Sequence, residues 1–394
     1  MYDVIIIGAG VSGLMSACFV NKDKKILVIE KNDKPGKKLL LTGNGRCNLT
    51  NLKSNKDFLD NISYNKKYLY STIYGFGPSE IYDYFTSNNV PLKEEKDNQI
   101  FPISNKSSDI LNVLISNSNH VTFNYNEEVL NINTSQVIEI VTKKQKYQAK
   151  NVIIATGGAS FNHTGSSGDH IKFAKMLKQP VIDLFPAETG VVLKENLDLA
   201  GTSFEDVNIS FDKIKTKGTL MFTHQGLGGT AIMLMSEHIY KSNNKGIKID
   251  FLPNINNEEL LSLFDDFDKE KEVTSFLNSF FTKRFSSYII NSLNLDKKIK
   301  SITKTEKVLL MSFIKEKKYL VKEVNELQKA YVTGGGISLD YIDSKTMESK
   351  INPGIYFTGE ALDIHGPIGG YNITLALSTG RLAAVSINKK GELK

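Results

Sequence analysis

An apolar run, Tyr2 to Ile7, leads without a break into Gly8-Ala9-Gly10-Val11-Ser12-Gly13. Valine and isoleucine without polar alternation suit a strand buried on both faces of a parallel sheet. A helical pattern follows from Ser12 to about Asn21, and a second apolar strand, Lys25 to Ile29, ends in Glu30. Strand, G-x-G-x-x-G, helix, strand and acid in this order form the dinucleotide-binding fingerprint. Gly8 permits the tight turn, Gly10 lets a pyrophosphate approach the backbone, and Gly13 lets the helix lie close to the strand. The helix start offers free N–H groups and the positive end of its dipole to the phosphates. Glu30, seventeen residues beyond Gly13, is placed to accept hydrogen bonds from an adenosine ribose.

The fingerprint fits NAD as well as FAD, and what surrounds it separates them. Asn32 to Leu40 reads Asn-Asp-Lys-Pro-Gly-Lys-Lys-Leu-Leu and runs on to Thr42-Gly43-Asn44-Gly45-Arg46-Cys47-Asn48, a polar, glycine-rich loop where a chain would turn back beneath an extended FAD. Val152 to Thr156 is an apolar strand ending in Ala155-Thr156-Gly157-Gly158, a turn common beside the cofactor in FAD-binding folds. Gly354 to Glu360 looks like a strand closing on the flavin, and Gly366-Pro367-Ile368-Gly369-Gly370-Tyr371-Asn372 opens a helix to about Val385. Amides at that helix start would stabilise negative charge on a reduced flavin. Both chain ends therefore build one FAD domain. A second pattern, Gly226-Leu227-Gly228-Gly229-Thr230-Ala231 with Asp250 nineteen residues on, is weaker as a nucleotide site, because Thr219 to Gln225 ends in polar residues where a buried strand is required.

The 394 residues, 40% of them hydrophobic, suffice for two or three globular domains. No run approaches the roughly eighteen apolar residues of a membrane span, and the apolar start carries Asp3 rather than a basic leader, so the expectation is a cytoplasmic protein with no membrane segment. Two cysteines, Cys18 and Cys47, and six scattered histidines suggest neither a disulfide framework nor a metal site. A net charge of +6 fits an ordinary solvated surface or a basic face for nucleic acid. Oligomeric state is not readable.

With these segments placed, the chain resembles the bacterial flavoprotein family variously labelled BaiN-like, RdsA-like or aminoacetone-oxidase-like. The resemblance spans nearly the whole length and is carried by Gly8 to Gly13, Gly36-Lys37-Lys38 through Thr42 to Asn51, Ala155 to Gly158, Gly165-Ser166-Ser167-Gly168-Asp169, Phe222 to Leu227, and Gly359-Glu360 through Gly369 to Asn372. It implies an α/β fold: a Rossmann-type, glutathione-reductase-like FAD-binding domain from residues 1–187 and 331–394, an inserted β-barrel-like domain from 188–254 and 311–330, and a small helical domain at 255–310. Local sequence agrees, since short β-type runs begin near Glu188 and 256–310 is charged and poor in glycine. The cofactor contacts it implies are Gly8, Gly10, Val11, Ser12, Gly13, Glu30 and Lys31 at the N-terminus, then Lys38, Leu39, Thr42, Gly43, Gly45, Arg46, Cys47 and Asn48. Val129, Ala155, Thr156, Gly157 and Gly158 follow, and Gly359, Glu360, Gly369, Gly370, Tyr371, Asn372 and Ile373 complete the set. Asn44, His170, Gly229-Thr230 and His365 depart from the family pattern and bear on substrate more than on cofactor.

Two residues are candidates for proton transfer. Cys47 has Arg46 beside it, which would depress its pKa, and would act as an acid toward substrate; its other reading is a small residue packed under the cofactor. His224 would donate a proton or bind a substrate oxygen, or merely orient its loop. His163 and His170 flank the Gly165-to-Asp169 turn and either reach a pocket or, the favoured reading, lie at the surface; Asp169 reads as a helix N-cap, Cys18 as core, and Tyr371 and Asn372 stand near the ring, unless Asn372 only caps its helix. Lys37, Lys38 and Arg46 serve phosphates or are solvated; the lysines of 143–144, 296–300 and 315–318 read as solvated faces. The family offers three chemistries: oxidation of small amines such as aminoacetone, reduction of C=C bonds in steroid-like acids, and reduction of a uridine in large-subunit ribosomal RNA to dihydrouridine. The last is slightly favoured, with hydride passing from reduced FAD to uracil C6, a proton reaching C5, and NADH or NADPH as a transient reductant. A redox-sensing flavoprotein without catalysis is the reading from another class.

Overall fold

The computed structural model describes residues 1–62, 64–135, 137–243 and 245–392. They divide into two compact units, Met1–Phe185 with Leu327–Lys394, and Pro186–Glu326.

The first unit is built on a seven-stranded sheet in the order Thr122–Asn124, Ile26–Ile29, Tyr2–Ile7, Lys146–Ile154, Ile138–Thr142, Val129–Thr134, with Ile355–Phe357 also paired to Lys146–Ile154. The half carrying the fingerprint is parallel, with Val4 opposite Ile26 on one side and Asn151 on the other. The other half is an antiparallel meander. Val4, Ile5 and Ile6 are fully buried, as a strand covered on both faces demands, and each such side chain contributes roughly 1.5–3 kcal/mol. Helix Val11–Phe19 lies against the C-terminal helix Tyr371–Glu392, which runs beyond the expected end at Val385. The Ser16 hydroxyl donates to the Gly380 carbonyl at 2.9 Å, and a Cβ at Gly380 would sit 2.3 Å from the Ser12 carbonyl oxygen, so the two helices touch through backbone. The Asn388 side chain accepts from the Asn21 amide and donates to the Phe19 carbonyl, closing the first helix. The two ends of the chain thus share one core.

In the second unit Val191–Leu193, Gly226–Gly228, Ile214–Phe222, Ser203–Phe211, Gly246–Asp250 and Lys317–Val324 form a closed antiparallel barrel. Helix Thr230–Lys241 adds Ala231, Ile232, Met235 and Ile239 to its core, and helices Asn257–Asp265, Val273–Leu277, Lys283–Leu293 and Lys304–Glu316 add Leu260, Phe276, Phe285 and Leu310 to the same cluster. The second glycine pattern belongs to this barrel. Its Gly226–Gly228 strand is antiparallel to Ile214–Phe222, so the parallel βαβ geometry that a dinucleotide fold needs is lacking. Asp250 is ion-paired with Lys315 at 2.8 Å. Lys315 is accordingly not part of a solvated face: its ammonium donates to the carbonyls of Leu252 and Ile255 and holds that turn. Among the described residues no helix is long and apolar enough to cross a membrane.

Candidate cofactor site

Parallel pairing of Tyr2–Ile7 with Lys146–Ile154 and Ile26–Ile29 brings Gly8, Ala155 and Glu30 to one edge of the sheet. Gly8 has φ +102°, and a Cβ there would lie 2.6 Å from the Ala155 carbonyl oxygen. A Cβ on Gly13 would lie 2.0 Å from the Gly8 carbonyl oxygen. Gly10 differs from both. Its φ is −78°, any residue's backbone, and nothing stands within 4 Å of the position a Cβ would take. The space left at Gly10 is therefore unclaimed by protein. Gly10 also caps helix Val11–Phe19 without a side-chain acceptor, leaving the first amides free for an anion.

Glu30 is buried, and its carboxylate accepts from the Ala9 amide at 2.7 Å and from the amide and side chain of Asn32 at 2.8 Å. It fixes the glycine loop to the end of the second strand and lines the cleft. From this edge a long cleft extends within the first unit. Its walls are Gly8, Gly10, Val11 and Ser12; Glu30, Lys31 and Asn32; Gly36 to Leu39 and Thr42; Glu127 to Val129; Ala155 to Gly157; Thr164 to Ser166 and Asp169; and Thr358 to Glu360 with Asn372 and Ile373. The hydroxyls of Ser12, Thr156, Ser166 and Thr358, all on residues of these walls, are buried without a hydrogen-bond partner among the described residues. Each such group costs about 1–3 kcal/mol unless a partner arrives. Four of them on one cleft, together with free helix amides and open space at Gly10, fit an extended polar ligand with phosphates.

The lysines on these walls are neutralised by protein acids. Lys31 pairs with Asp169 at 2.7 Å, Lys37 with Asp33 at 2.7 Å and Lys38 with Glu360 at 2.6 Å. Backbone amides, rather than ammonium groups, are left to meet phosphate charge. Glu360 also accepts from the amides of Thr333 at 2.8 Å and Gly158 at 3.3 Å. Burial alone would raise its pKa, but the charge and hydrogen bond of Lys38 and these two amides outweigh it, and the carboxyl stays below its ordinary range.

Several expected residues form a layer behind the walls. Gly158 packs against Thr333, where a Cβ would come within 2.4 Å of the hydroxyl, and Gly370 against Thr50. Tyr371 does not face the cleft: it stacks on Phe58 at 4.4 Å. Asn372 reaches the walls and ties its own loop, accepting from the Gly366 amide and donating to the Gly366 carbonyl. Gly43, Gly45, Arg46, Cys47 and Asn48 lie outside the cleft lining. The loop they occupy meets the C-terminal helix start, with the Asn51 side chain donating to the Gly369 carbonyl and Thr50 bonded to Thr374.

Arg46 does not activate Cys47. Its guanidinium pairs with Glu95, takes Asn105 as a second acceptor and stacks over Phe101 at 4.2 Å. Cys47 is fully buried, and burial pushes its thiol up to about 12, the reverse of the expected depression. Asp169 is the first residue of helix Asp169–Met176, not its cap; Gly168 holds that position and the Asp169 carboxylate goes to Lys31. His163 is exposed, but His170 is fully buried. His224 is exposed on the turn between two barrel strands of the second unit. Sequence reasoning missed Asn32, Glu127, Glu128, Thr164, Ser166, Asp169 and Thr358 as cleft residues. The Gly165-to-Asp169 motif was a usable signal for two of these residues, Ser166 and Asp169.

Burial holds the folded pKa of His170 down to about 4, with Glu360 and Asp169 opposing. The unfolded side chain takes up a proton near pH 6.5, so below that pH protonation favours the unfolded chain. Stability is expected to fall between about pH 6.5 and 4, by up to about 3 kcal/mol from this residue. Urea unfolding across that range checks it: His170→Gln should flatten the decline, and an unchanged pH profile would contradict it.

A model of the HI0933-like protein Rossmann domain matches residues 2–386. The chain belongs to the HI0933-like family. The family is one of FAD-dependent oxidoreductases. Among curated relatives, the ribosomal RNA dihydrouridine synthase of Haemophilus influenzae is 28% identical over 403 residues, covering 98% of both chains. The protein of the same name from Escherichia coli is 26% identical over 391 residues, covering 96% of both. The 3-dehydro-bile acid delta(4,6)-reductase of Clostridium scindens is 26% identical over 403 residues, covering 96% of this chain and 97% of its own. Solved structures share the fold at low identity: Mycobacterium smegmatis Sdh1 at TM-score 0.54, 15% identical over 100% of this chain and 69% of its own, and E. coli quinol fumarate reductase FrdA at 0.53, 13% identical over 99% and 70%.

Proposed function

We propose that FAD lies along this cleft and that the enzyme reduces a uridine of large-subunit ribosomal RNA to dihydrouridine. The observation carrying the cofactor placement is the unclaimed space at Gly10 beside free helix amides and partnerless hydroxyls. Gly8 to Ser12 hold the pyrophosphate and Glu30 the ribose, while Thr42, Val129, Ala155 to Gly157, Gly359, Glu360, Asn372 and Ile373 line the rest. Behind them Gly13, Gly43, Gly45, Arg46, Cys47, Asn48, Gly158, Gly369, Gly370 and Tyr371 shape the walls.

Bound FAD supplies two-electron redox chemistry, which at uracil adds hydrogen across the C5–C6 double bond. NADH or NADPH is the proposed reductant, and the cytoplasm the proposed compartment. Of the two candidate proton donors, Cys47 is fully buried outside the cleft lining with its thiol held up to about 12, which favours its other reading, a small residue packed under the cofactor. Two full-length relatives named for the ribosomal RNA reaction support this substrate. The bile acid reductase, equally complete in coverage, supports reduction of a small enoyl compound as the second reading.

Mass spectrometry of ribosomal RNA from a deletion strain separates the two. One dihydrouridine should disappear from the large-subunit RNA and return on complementation with the intact gene. Unchanged dihydrouridine content would sink the RNA reading and leave the small-molecule one.

A further inference from the structure

The barrel carries lysines on its outer face in a pattern that packing does not require. Along its strands Ile209, Phe211, Ile247, Ile249, Tyr319 and Val321 are buried, which turns Ser210, Lys248 and Lys318 outward. The register sets Lys215 opposite Ser210, Ser210 opposite Lys248, and Lys248 opposite Lys318. One row across four adjacent strands therefore reads Lys, Ser, Lys, Lys, each step ~4.8 Å. Lys217 extends it along its own strand, Lys213 stands at the adjoining turn, and all five lysines are exposed.

Acids only partly answer this charge. Asp206 pairs with Lys217 at 2.9 Å, Glu316 reaches Lys248 at 3.5 Å, and Asp250 is taken by Lys315. Asp212 adjoins Lys213 and has its own partner. Among the described residues neither Lys215 nor Lys318 is in an ion pair. Like charges directly opposed across a sheet, as Lys248 and Lys318 are, destabilise it. Between Pro186 and Glu326 basic and acidic residues are equal in number, the acids gathering at 258–272. The row is thus a segregation of charge, not the local share of a general excess.

We propose that this lysine row docks the phosphate backbone of the RNA substrate. The proposal rests on the ribosomal RNA reading above. Lysines spread over three of these strands and lacking a planar, base-reading fork contact phosphates without regard to sequence and set where the strand lies.

The test uses the full-length, FAD-loaded protein and an unmodified transcript of large-subunit ribosomal RNA, with binding measured against salt. The variant Lys215→Gln, Lys248→Gln, Lys318→Gln is compared with Lys143→Gln, Lys144→Gln, Lys146→Gln, which removes the same charge from the other unit. The row variant is expected to lose roughly tenfold or more in affinity at 0.1 M salt and to show a log–log salt slope shallower by about 2. The control should bind like the parent, FAD content should be unchanged in both, and the row variant, relieved of the Lys248–Lys318 repulsion, should melt no lower than the parent. Equal binding by the row variant, or equal loss in the control, would overturn the proposal. So would a row variant that loses binding to phosphatidylglycerol vesicles while keeping that to the transcript. Dihydrouridine formation by the parent, assayed separately, distinguishes the two readings. Activity with row-independent binding removes the row alone, whereas row-dependent binding without activity removes the substrate and leaves the docking surface.

Discussion

Gly10→Glu is expected to give a folded protein that purifies without FAD. The backbone at Gly10 is accessible to any residue and no protein atom lies within 4 Å of a Cβ there, so the substitution strains nothing in the chain itself. What it meets is the ligand. A carboxylate set among the free amides of helix Val11–Phe19 displaces a pyrophosphate by bulk and by like charge. A loss of a hundredfold or more in FAD affinity, about 3 kcal/mol, is the expected scale. Thermal unfolding of the apo-proteins should coincide. Retention of FAD by Gly10→Glu would show that the space at Gly10 serves something else. Gly13→Ala makes the contrast, because its Cβ would collide with the Gly8 carbonyl and disturb the fold itself.

The second large effect is expected at Glu360. Glu360→Leu removes the acceptor of the Lys38 ammonium and of the Thr333 and Gly158 amides at one stroke. Breaking a partly buried ion pair from one side leaves the other charge uncompensated, at a cost of about 3 kcal/mol. Because the folded pKa of Glu360 is lowered, its contribution is complete above the ordinary carboxylate value near 4.3 and is lost as the pH falls through the folded value. The difference between parent and variant should therefore be largest at neutral pH and shrink in acid. Urea midpoints at pH 7 and pH 4 measure it; equal midpoints at pH 7 would show that Lys38 and the amides find other partners.

The contrast between these two sites and the rest shows what a linear sequence carries. Strand, turn and helix around Gly8, Gly10 and Gly13 are local, so spacing alone specified them. Glu30 lines the cleft, yet its bonds to Ala9 and Asn32 belong to the folded loop and were not legible. Arg46 misled because adjacency says nothing about where a long side chain goes, and this one goes to Glu95 and Phe101, about fifty positions away. His170 was legible and overlooked: with Phe173 and Ala174 it forms the i, i+3, i+4 buried stripe of an amphipathic helix. Asp169 and Lys31, like Lys38 and Glu360, meet only because strands far apart in sequence end at one sheet edge. The lysine row is the extreme case, since three separate pairings of barrel strands are needed to align it.

The most direct measurement is the flavin content of the purified chain. Denaturing the parent protein should release about one equivalent of FAD, identified by mass, while Gly10→Glu prepared alongside releases almost none. Parent protein that neither purifies with FAD nor takes it up when it is added would contradict the account at its base.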